Sequence, residues 1–171
     1  MPDDLDVQRA SAPVGSIVPG TVTWVPSPTG VFGVGVDLEL SARGFVDVLE
    51  LPLSPDDWPS VGHRSTFEVL QHRRGEIRLC PTDPALRRAP IRNRYSAEDW
   101  AGIKAGYPIG SDVEMTVTRT FRSNRECSVD DGLLAETLEW SGEEPRVGAQ
   151  RTLRVERHLD SVQRVILRLL Q

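Results

Sequence analysis

An internal resemblance between the two halves of the chain limits its possible folds more than any other feature. Segments 15–23 and 110–118 share six of nine residues at an offset of 95. Two further pairs follow in the same order, at offsets of 86 and 90: 61–72 with 147–158, and 77–79 with 167–169. Three matches in the same order predict a duplicated unit of about 60–65 residues.

The hydrophobic pattern within each unit indicates short strands. Val34, Val36 and Leu38 alternate with small or acidic residues, which is the period of a half-buried strand. The same parity places Val22 and Trp24 on one apolar face of the first strand, so Trp24 is expected in the core. Further strands are predicted at 44–49, 66–70, 76–79, 113–121, 152–155 and 165–169.

Five short strands, with a glycine in the first and a loop before the fourth, predict an OB barrel. The chain is therefore predicted to be all-β, with two tandem five-stranded OB barrels at 14–84 and 110–171. Segment 85–109 is predicted to be a basic connector between them. Ser96 and Asp99 form a capping box, which predicts a short helix within this connector.

Five stretches of the first unit follow the pattern of one known family. They are GTV (20–22), FGVGVDL (32–38), GFVDV (44–48), VG (61–62) and GEIRLC (75–80). Through them, about residues 14–80 resemble the S-one domain, an RNA-binding OB-fold family of ribosomal proteins and ribonucleases. The second unit matches that family only through the internal repeat.

The resemblance implies RNA binding through two exposed aromatic residues, a histidine and an arginine on one barrel face. Phe32 keeps the first aromatic residue, whereas Gly35 stands where the second is expected. Asp47 replaces the histidine and Glu76 replaces the arginine. Two of these changes place a carboxylate where a phosphate should approach. The second strand also presents glycines and acids outward, which suits a protein surface or a basic partner better than RNA.

The charge distribution points to the connector instead. The whole chain has a net charge of −5, which is unfavourable for binding phosphates. Segment 85–109, however, contains five basic and only two acidic residues. Arginines beside aromatic residues can bind phosphates and stack on bases. The predicted nucleic-acid contacts are Phe32, Arg73, Arg74, Arg87, Arg88, Arg92, Arg94, Tyr95 and Trp100.

All of these contacts except Phe32 have a structural alternative. The connector arginines could bind the acidic first unit, while Tyr95 and Trp100 pack between the barrels. Arg73 and Arg74 could simply be solvated at a hairpin tip. Trp58 could anchor a partner protein, or it could cover the open end of a barrel.

Other classes of protein are excluded by what the sequence lacks. No apolar run approaches the roughly 20 residues of a membrane-spanning helix, and the acidic N-terminus is no signal peptide. Cys80 and Cys127 form no CxxC pair, and His63, His72 and His158 have no ligand spacing. No nucleophile–base pair or phosphate loop is recognisable. We therefore expect a cytoplasmic binding protein without catalytic activity, metal or cofactor.

Two functional hypotheses remain. In the first, the protein binds RNA or another single-stranded nucleic acid through its S-one-like barrel and connector. In the second, it is a degenerate S-one protein whose barrels bind another protein, as an adaptor, a regulator or an immunity-type partner. The family resemblance favours the first, and the acidic charge with the substituted site residues favours the second.

Overall fold

The computed structural model describes residues 4–27, 32–88 and 94–170. The chain divides into two compact units, Met1–Arg92 and Asn93–Gln171. In each unit a helix precedes five strands. The first unit contains α1 (Asp4–Ser11), β1 (Ile17–Trp24), β2 (Gly33–Asp37), β3 (Arg43–Asp47), β4 (Arg64–Arg73) and β5 (Glu76–Pro81). The second contains α2 (Ala97–Gly106), β6 (Asp112–Phe121), β7 (Glu126–Asp130), β8 (Ala135–Glu139), β9 (Gln150–Leu159) and β10 (Arg164–Leu169).

Among the described residues, neither helix is long and apolar enough to cross a membrane.

The strands of the first unit form a closed barrel in the order β1-β2-β3-β5-β4, with β1 pairing β4. The β3–β5 pair is parallel and the others are antiparallel. This order and closure are those of an OB-like barrel, as predicted for the first unit. Alternate residues point inward, and the core is built from side chains such as Val34, Val46, Phe67 and Leu79. Trp58 joins this core, and its indole donates to the carbonyl of Pro52 at 2.9 Å.

The missing side chain of Gly44 allows β3 to approach the barrel interior. A Cβ atom here would lie 2.6 Å from Leu79 Cδ1 and 3.1 Å from Val36 Cβ. Glycine within a strand commonly marks such a close approach. Gly44 therefore permits β3 to pair with β5 and close the barrel.

The second sheet has the corresponding strand order, β10-β9-β6-β7-β8, but it is not closed. The prediction of a second closed barrel is therefore not met. Glu136 of β8 pairs with Val129, as Gly44 pairs with Val36 in the first unit. Its buried carboxylate accepts the N–H of Val165 in β10 at 3.1 Å and a hydrogen bond from Arg94 at 2.9 Å. A side chain thus occupies the seam where the first unit has a backbone ladder.

The seam of the second unit is further satisfied by arginine side chains. Arg94 donates to the carbonyl of Ala135, at 2.6 Å, and Arg164 donates to that of Thr137, at 2.8 Å. Both carbonyls belong to the edge of β8. Capping an edge strand in this way removes acceptors that another chain could otherwise pair with.

A histidine fixes the helix of each unit to its fourth strand. His72 Nε2 lies 2.7 Å from the carbonyl oxygen of Ala12, directly after α1. His158 Nε2 lies 2.8 Å from that of Tyr107, directly after α2. The sequence pattern did not predict α1, because it placed the first unit's beginning at residue 14.

Strand pairing also corrects the alignment of the two units. Thr21 pairs with Arg64 and Thr116 with Gln150, so the offsets of 95 and 86 describe corresponding positions. The third offset of 90 is wrong. Leu79 pairs with Val69, and Leu167 pairs with Val155, so the last strands correspond at an offset of 88.

Candidate nucleic-acid interface

A row of outward residues crosses four strands of the first barrel. Trp24 of β1 lies beside Gly35 of β2, and Gly35 lies beside Phe45 of β3. Phe45 in turn is paired with Arg78 of β5. Neighbouring strands are about 4.8 Å apart, so these four residues form one continuous surface. Trp24, Phe45 and Arg78 were not among the predicted contacts.

Trp24 reaches this surface because of a β-bulge. The register of β1 against β2 shifts between Val22 and Trp24. Val22 is fully buried, whereas Trp24 is 48% exposed. A bulge adds one residue to a strand and reverses the side-chain parity beyond it. The prediction that Trp24 packs in the core with Val22 is therefore wrong.

The outward glycines of β2 accommodate aromatic rings from its neighbours. A Cβ atom on Gly35 would lie 3.2 Å from Trp24 Cβ, and one on Gly33 would lie 2.9 Å from Phe45 Cζ. The space that β2 leaves empty is thus filled by the side chains of β1 and β3. The outer face of β2, predicted to present glycines and acids, is thus also bordered by two aromatic residues.

Three interactions hold the guanidinium of Arg78. Its carbon lies 4.6 Å from the centroid of the Phe45 ring. Its Nη1 donates to Asp47 Oδ2 at 3.0 Å, and its Nε forms an ion pair with Glu76 Oε1 at 2.7 Å. Asp47 and Glu76, the two acidic substitutions in the family pattern, are therefore partners of this arginine.

Exposed arginines lie beside the row, at the start of β3 and the end of β4. Arg43 and Arg73 both pair with Glu76, from β3 and β4 respectively. Arg74 follows in the β4–β5 turn, where the carbonyl of Gly75 accepts the N–H of Arg43 at 3.2 Å. Arg43 precedes Phe45 by two residues, which corresponds to about 6.6 Å along a strand. We name Arg43, Arg73 and Arg74 the arginine cluster.

Phe32 directly precedes β2 and is 70% exposed. Its φ is +70°, an unusual conformation for a bulky residue. Its carbonyl accepts the N–H of Val48 at 2.9 Å, which ties it to the end of β3. Backbone strain of this kind is often found at functional sites.

The predicted connector residues of the first unit lie against the barrel. The backbone N–H of Arg88 donates to the backbone carbonyl of Glu50 at 2.9 Å, and its Nη2 donates to the Val48 carbonyl at 3.1 Å. Arg87 is half-buried. Burial raises the pKa of Glu50, which these arginines and a contact with Cys80 partly oppose. Arg88 therefore has a structural role, and Arg92 lies outside the described residues.

The remaining predicted contacts belong to the second unit. The ring of Tyr95 stacks on that of Trp100, with centroids 6.1 Å apart and an interplanar angle of 9°. Trp100 is only 6% exposed, and its indole donates to Asp160 at 2.7 Å. Arg94 is engaged by the seam of the sheet, at Glu136. Tyr95 and Trp100 are thus packed into the second unit together with α2.

The corresponding row of the second unit is chemically different. Trp24 corresponds to Arg119, Gly35 to Ser128, and Phe45 to Thr137. Arg78 corresponds to Ile166 by the same pairing of strands. No aromatic residue stands at these four positions.

The described residues provide no group of three metal-ligating side chains. Both cysteines are buried. Burial raises the pKa of Cys80 to about 12 and that of Cys127 to about 11. These thiols are therefore protonated and unreactive near neutral pH.

Comparisons with known proteins give only remote structural matches. No protein-family model and no curated protein matches the chain. A multidomain protein with nucleic acid binding domains from Streptococcus pneumoniae is 17% identical over 91% of this chain, with a TM-score of 0.33. The matched region is 51% of that protein, so the chain spans about half its length.

Two further solved structures match part of the chain. GSP13 from Bacillus subtilis is 27% identical over 39% of this chain and 53% of its own, with a TM-score of 0.34. A protein from Methanocaldococcus jannaschii is 20% identical over 42% of this chain and 92% of its own, with a TM-score of 0.33. Since these scores are low, the OB-like assignment rests on the strand order and closure of the first barrel.

Proposed function

We propose that the protein binds single-stranded nucleic acid through the outer face of its first, S-one-like barrel. The observation that carries this proposal is the lateral row of Trp24, Gly35, Phe45 and Arg78, flanked by the exposed Phe32. Bases of a single strand can stack on such side chains, with about 1–3 kcal/mol for each stacked base. The task is binding, with no catalytic step and no cofactor.

The arginine cluster supplies the charge that a nucleic-acid backbone requires. Arg43 and Arg73 are exposed beside the row. The separation of Arg43 from Phe45, about 6.6 Å along β3, allows one chain of nucleotides to contact both features. Arg88 and Arg94 of the connector, which the charge distribution favoured, are engaged elsewhere and are not part of this proposed site.

Fluorescence offers a direct test of the proposal. Trp24 is 48% exposed, whereas Trp58, Trp100 and Trp140 are at most 9% exposed. Titration with mixed-sequence 12-nucleotide RNA and DNA at low salt should quench the emission of Trp24. Anisotropy of the labelled oligonucleotide gives the affinity, and parallel titrations show whether the ribose 2′-hydroxyl matters.

The matched variants are Trp24→Ala and Arg119→Ala, at corresponding positions of the two units. Loss of one stacking partner should weaken binding about tenfold or more, whereas Arg119→Ala should leave the affinity unchanged. No binding of either oligonucleotide at about 100 µM protein and low salt would refute the proposal, because phosphate-dependent binding strengthens at low salt. Equal effects of the two variants would refute the site.

Binding of a protein partner is the second candidate, favoured by the acidity of the same face. Asp47 and Glu76 lie beside the aromatic row, and the exposed Leu49 and Leu53 follow β3 in the chain. An acidic, apolar surface suits a basic partner with aromatic or aliphatic anchors. Co-purification of a protein that Trp24→Ala releases, without nucleic acid, would favour this candidate.

A further inference from the structure

Arg78, the arginine of the aromatic row, has different surroundings from those expected of an arginine that binds phosphate. Arg78 has 21% of its side chain exposed, and it lies between Asp47 and Glu76. Each carboxylate is within 3.0 Å of a guanidinium nitrogen. With Phe45 beneath it, the guanidinium is fixed by three partners from two strands. Its orientation is therefore set before any ligand arrives.

The charge of this group opposes contact with a phosphate. One guanidinium and two carboxylates carry a net charge of −1 when all are ionised. A phosphate that approached Arg78 would meet the carboxylates of Asp47 and Glu76 beside the guanidinium, and both would repel it. The planar guanidinium, in contrast, can stack on a base while its edge faces the two carboxylates.

We propose that Arg78 is a base-stacking residue of this face, and that Asp47 and Glu76 are the residues that position it. This inference rests on the proposed function. It assigns the bases of the ligand to Trp24, Phe45 and Arg78, and the phosphates to the arginine cluster. The ligand is consequently a single strand with unpaired bases, because a duplex would not offer base faces to the row.

The decisive variant is Arg78→Lys, which keeps the charge but removes the plane. A lysine can replace an arginine that contacts phosphate as a point charge, but it provides no surface for stacking. We expect anisotropy to show a loss of about tenfold in affinity, equal to about 1.4 kcal/mol. The plot of log affinity against log salt concentration should keep its slope. Arg64→Lys, at the far end of β4, is the matched control and should bind normally.

A second, charge-matched variant tests the same point independently. The double variant Arg78→Gln with Glu76→Gln leaves the net charge of the group at −1. Affinity should again fall about tenfold with an unchanged slope, because no phosphate contact is lost. Arg73→Gln, in the arginine cluster, should flatten the slope by about 0.7, the value for one phosphate of a single strand.

The outcomes separate this inference from the proposed function. If the wild-type protein binds and Arg78→Lys retains full affinity, the stacking role of Arg78 is wrong and the function stands. A slope flattened by about 0.7 in the double variant would assign Arg78 to phosphate. If the wild-type protein does not bind at all, both proposals fail. The thermal unfolding midpoint of each variant should match that of the wild type, which excludes loss of folding as the cause.

Discussion

The two units share their strand order and their helix–histidine contact, but they differ at the seam and on the outer face. The first unit has Gly44 at the seam and is closed, whereas the second has Glu136 and is open. The first also presents Trp24 and Phe45 where the second presents Arg119 and Thr137. The two units thus share their topology but differ at one inward position and along one outward row.

The difference at the seam coincides with a difference at one inward position. At Gly44 the neighbouring strand can approach closely enough for a backbone ladder. At the corresponding Glu136, the buried carboxylate supplies the acceptor for the N–H of Val165 instead. Polar groups are thus paired at both seams, by backbone pairing in the first unit and by side chains in the second.

The largest expected effect comes from giving the first unit the seam of the second. In Gly44→Glu the new Cβ atom alone would lie 3.1 Å from Val36 Cβ and 2.6 Å from Leu79 Cδ1. The carboxylate beyond it would lack the arginine partners that Glu136 has. We expect the free energy of unfolding to fall by about 4 kcal/mol or more, from overpacking and an unpaired buried charge. Urea unfolding followed by circular dichroism measures this loss.

Arg43→Glu, at the adjacent outward position, is the control and should cost less than about 1 kcal/mol. A cost below about 1 kcal/mol for Gly44→Glu would mean that closure of the first barrel does not depend on a small residue there.

The helix contacts should also differ in strength between the units. His72 is fully buried and His158 only half-buried, although both bind a carbonyl after a helix. His72→Ala leaves a cavity and an unsatisfied carbonyl, so we expect a cost of about 3 kcal/mol. His158→Ala should cost about half as much, because water can reach its carbonyl. Equal costs in urea unfolding would contradict the distinction.

A third comparison concerns the outward glycine of β2. Gly35→Val places methyl groups where the Trp24 side chain lies, since even a Cβ atom would be 3.2 Å from Trp24 Cβ. We expect acrylamide quenching of Trp24 to increase and oligonucleotide affinity to fall about fivefold, within the range of one stacked base. Ser128→Val, at the corresponding position, should change neither. If affinity persists although Trp24 has moved, the row is not the binding surface.

The smallest expected effects concern the pH dependence of stability, which should have opposite directions in the two units. Burial raises the pKa of Glu50 in the first unit. Its contribution to stability is therefore complete below the unfolded pKa of about 4.3 and is lost as pH rises through the raised pKa. Hydrogen bonds from Trp100 and Lys104 lower the pKa of Asp160 in the second unit. That contribution is complete above about pH 3.9 and is lost as pH falls through the lowered pKa.

Amide hydrogen exchange of the intact protein can resolve these responses by unit. Glu50→Gln should reduce the loss of protection in the first core on going from mildly acidic to neutral pH. Asp160→Asn should reduce the acid-induced loss in the second core. The same pH response in both cores, unaffected by either variant, would contradict the assignment.

The sequence predicted the first barrel because its inward residues alternate strictly and its glycines match a known family. Prediction from the sequence failed where a single residue departs from the alternation of inward and outward side chains. The bulge before Trp24 reverses the parity of β1, and no periodicity reveals it. Glu136 reads as an ordinary surface residue, because its partners Arg94 and Val165 are brought to it only by the fold. The family pattern places its arginine at the position of Glu76, so it does not single out Arg78.

The connector residues show a different limit of sequence reasoning. Their charge was apparent, but charge alone does not say which side chains remain available to a ligand. Arg88 and Arg94 bind backbone carbonyls within their own units, and Trp100 is the buried residue of α2. Phe32 and Arg73, in contrast, are exposed on or beside the barrel face, and their predicted role in binding stays a prediction.

The contact between each helix and its histidine limits which fragments of the protein keep their internal contacts. A fragment beginning at residue 14, where the strand pattern starts, would lack Ala12 and with it the acceptor for the buried His72. A fragment beginning at residue 110 would likewise leave His158 without Tyr107. The smallest piece that keeps its internal contacts is therefore a helix together with the five strands after it. Limited proteolysis should accordingly release pieces that retain α1 or α2.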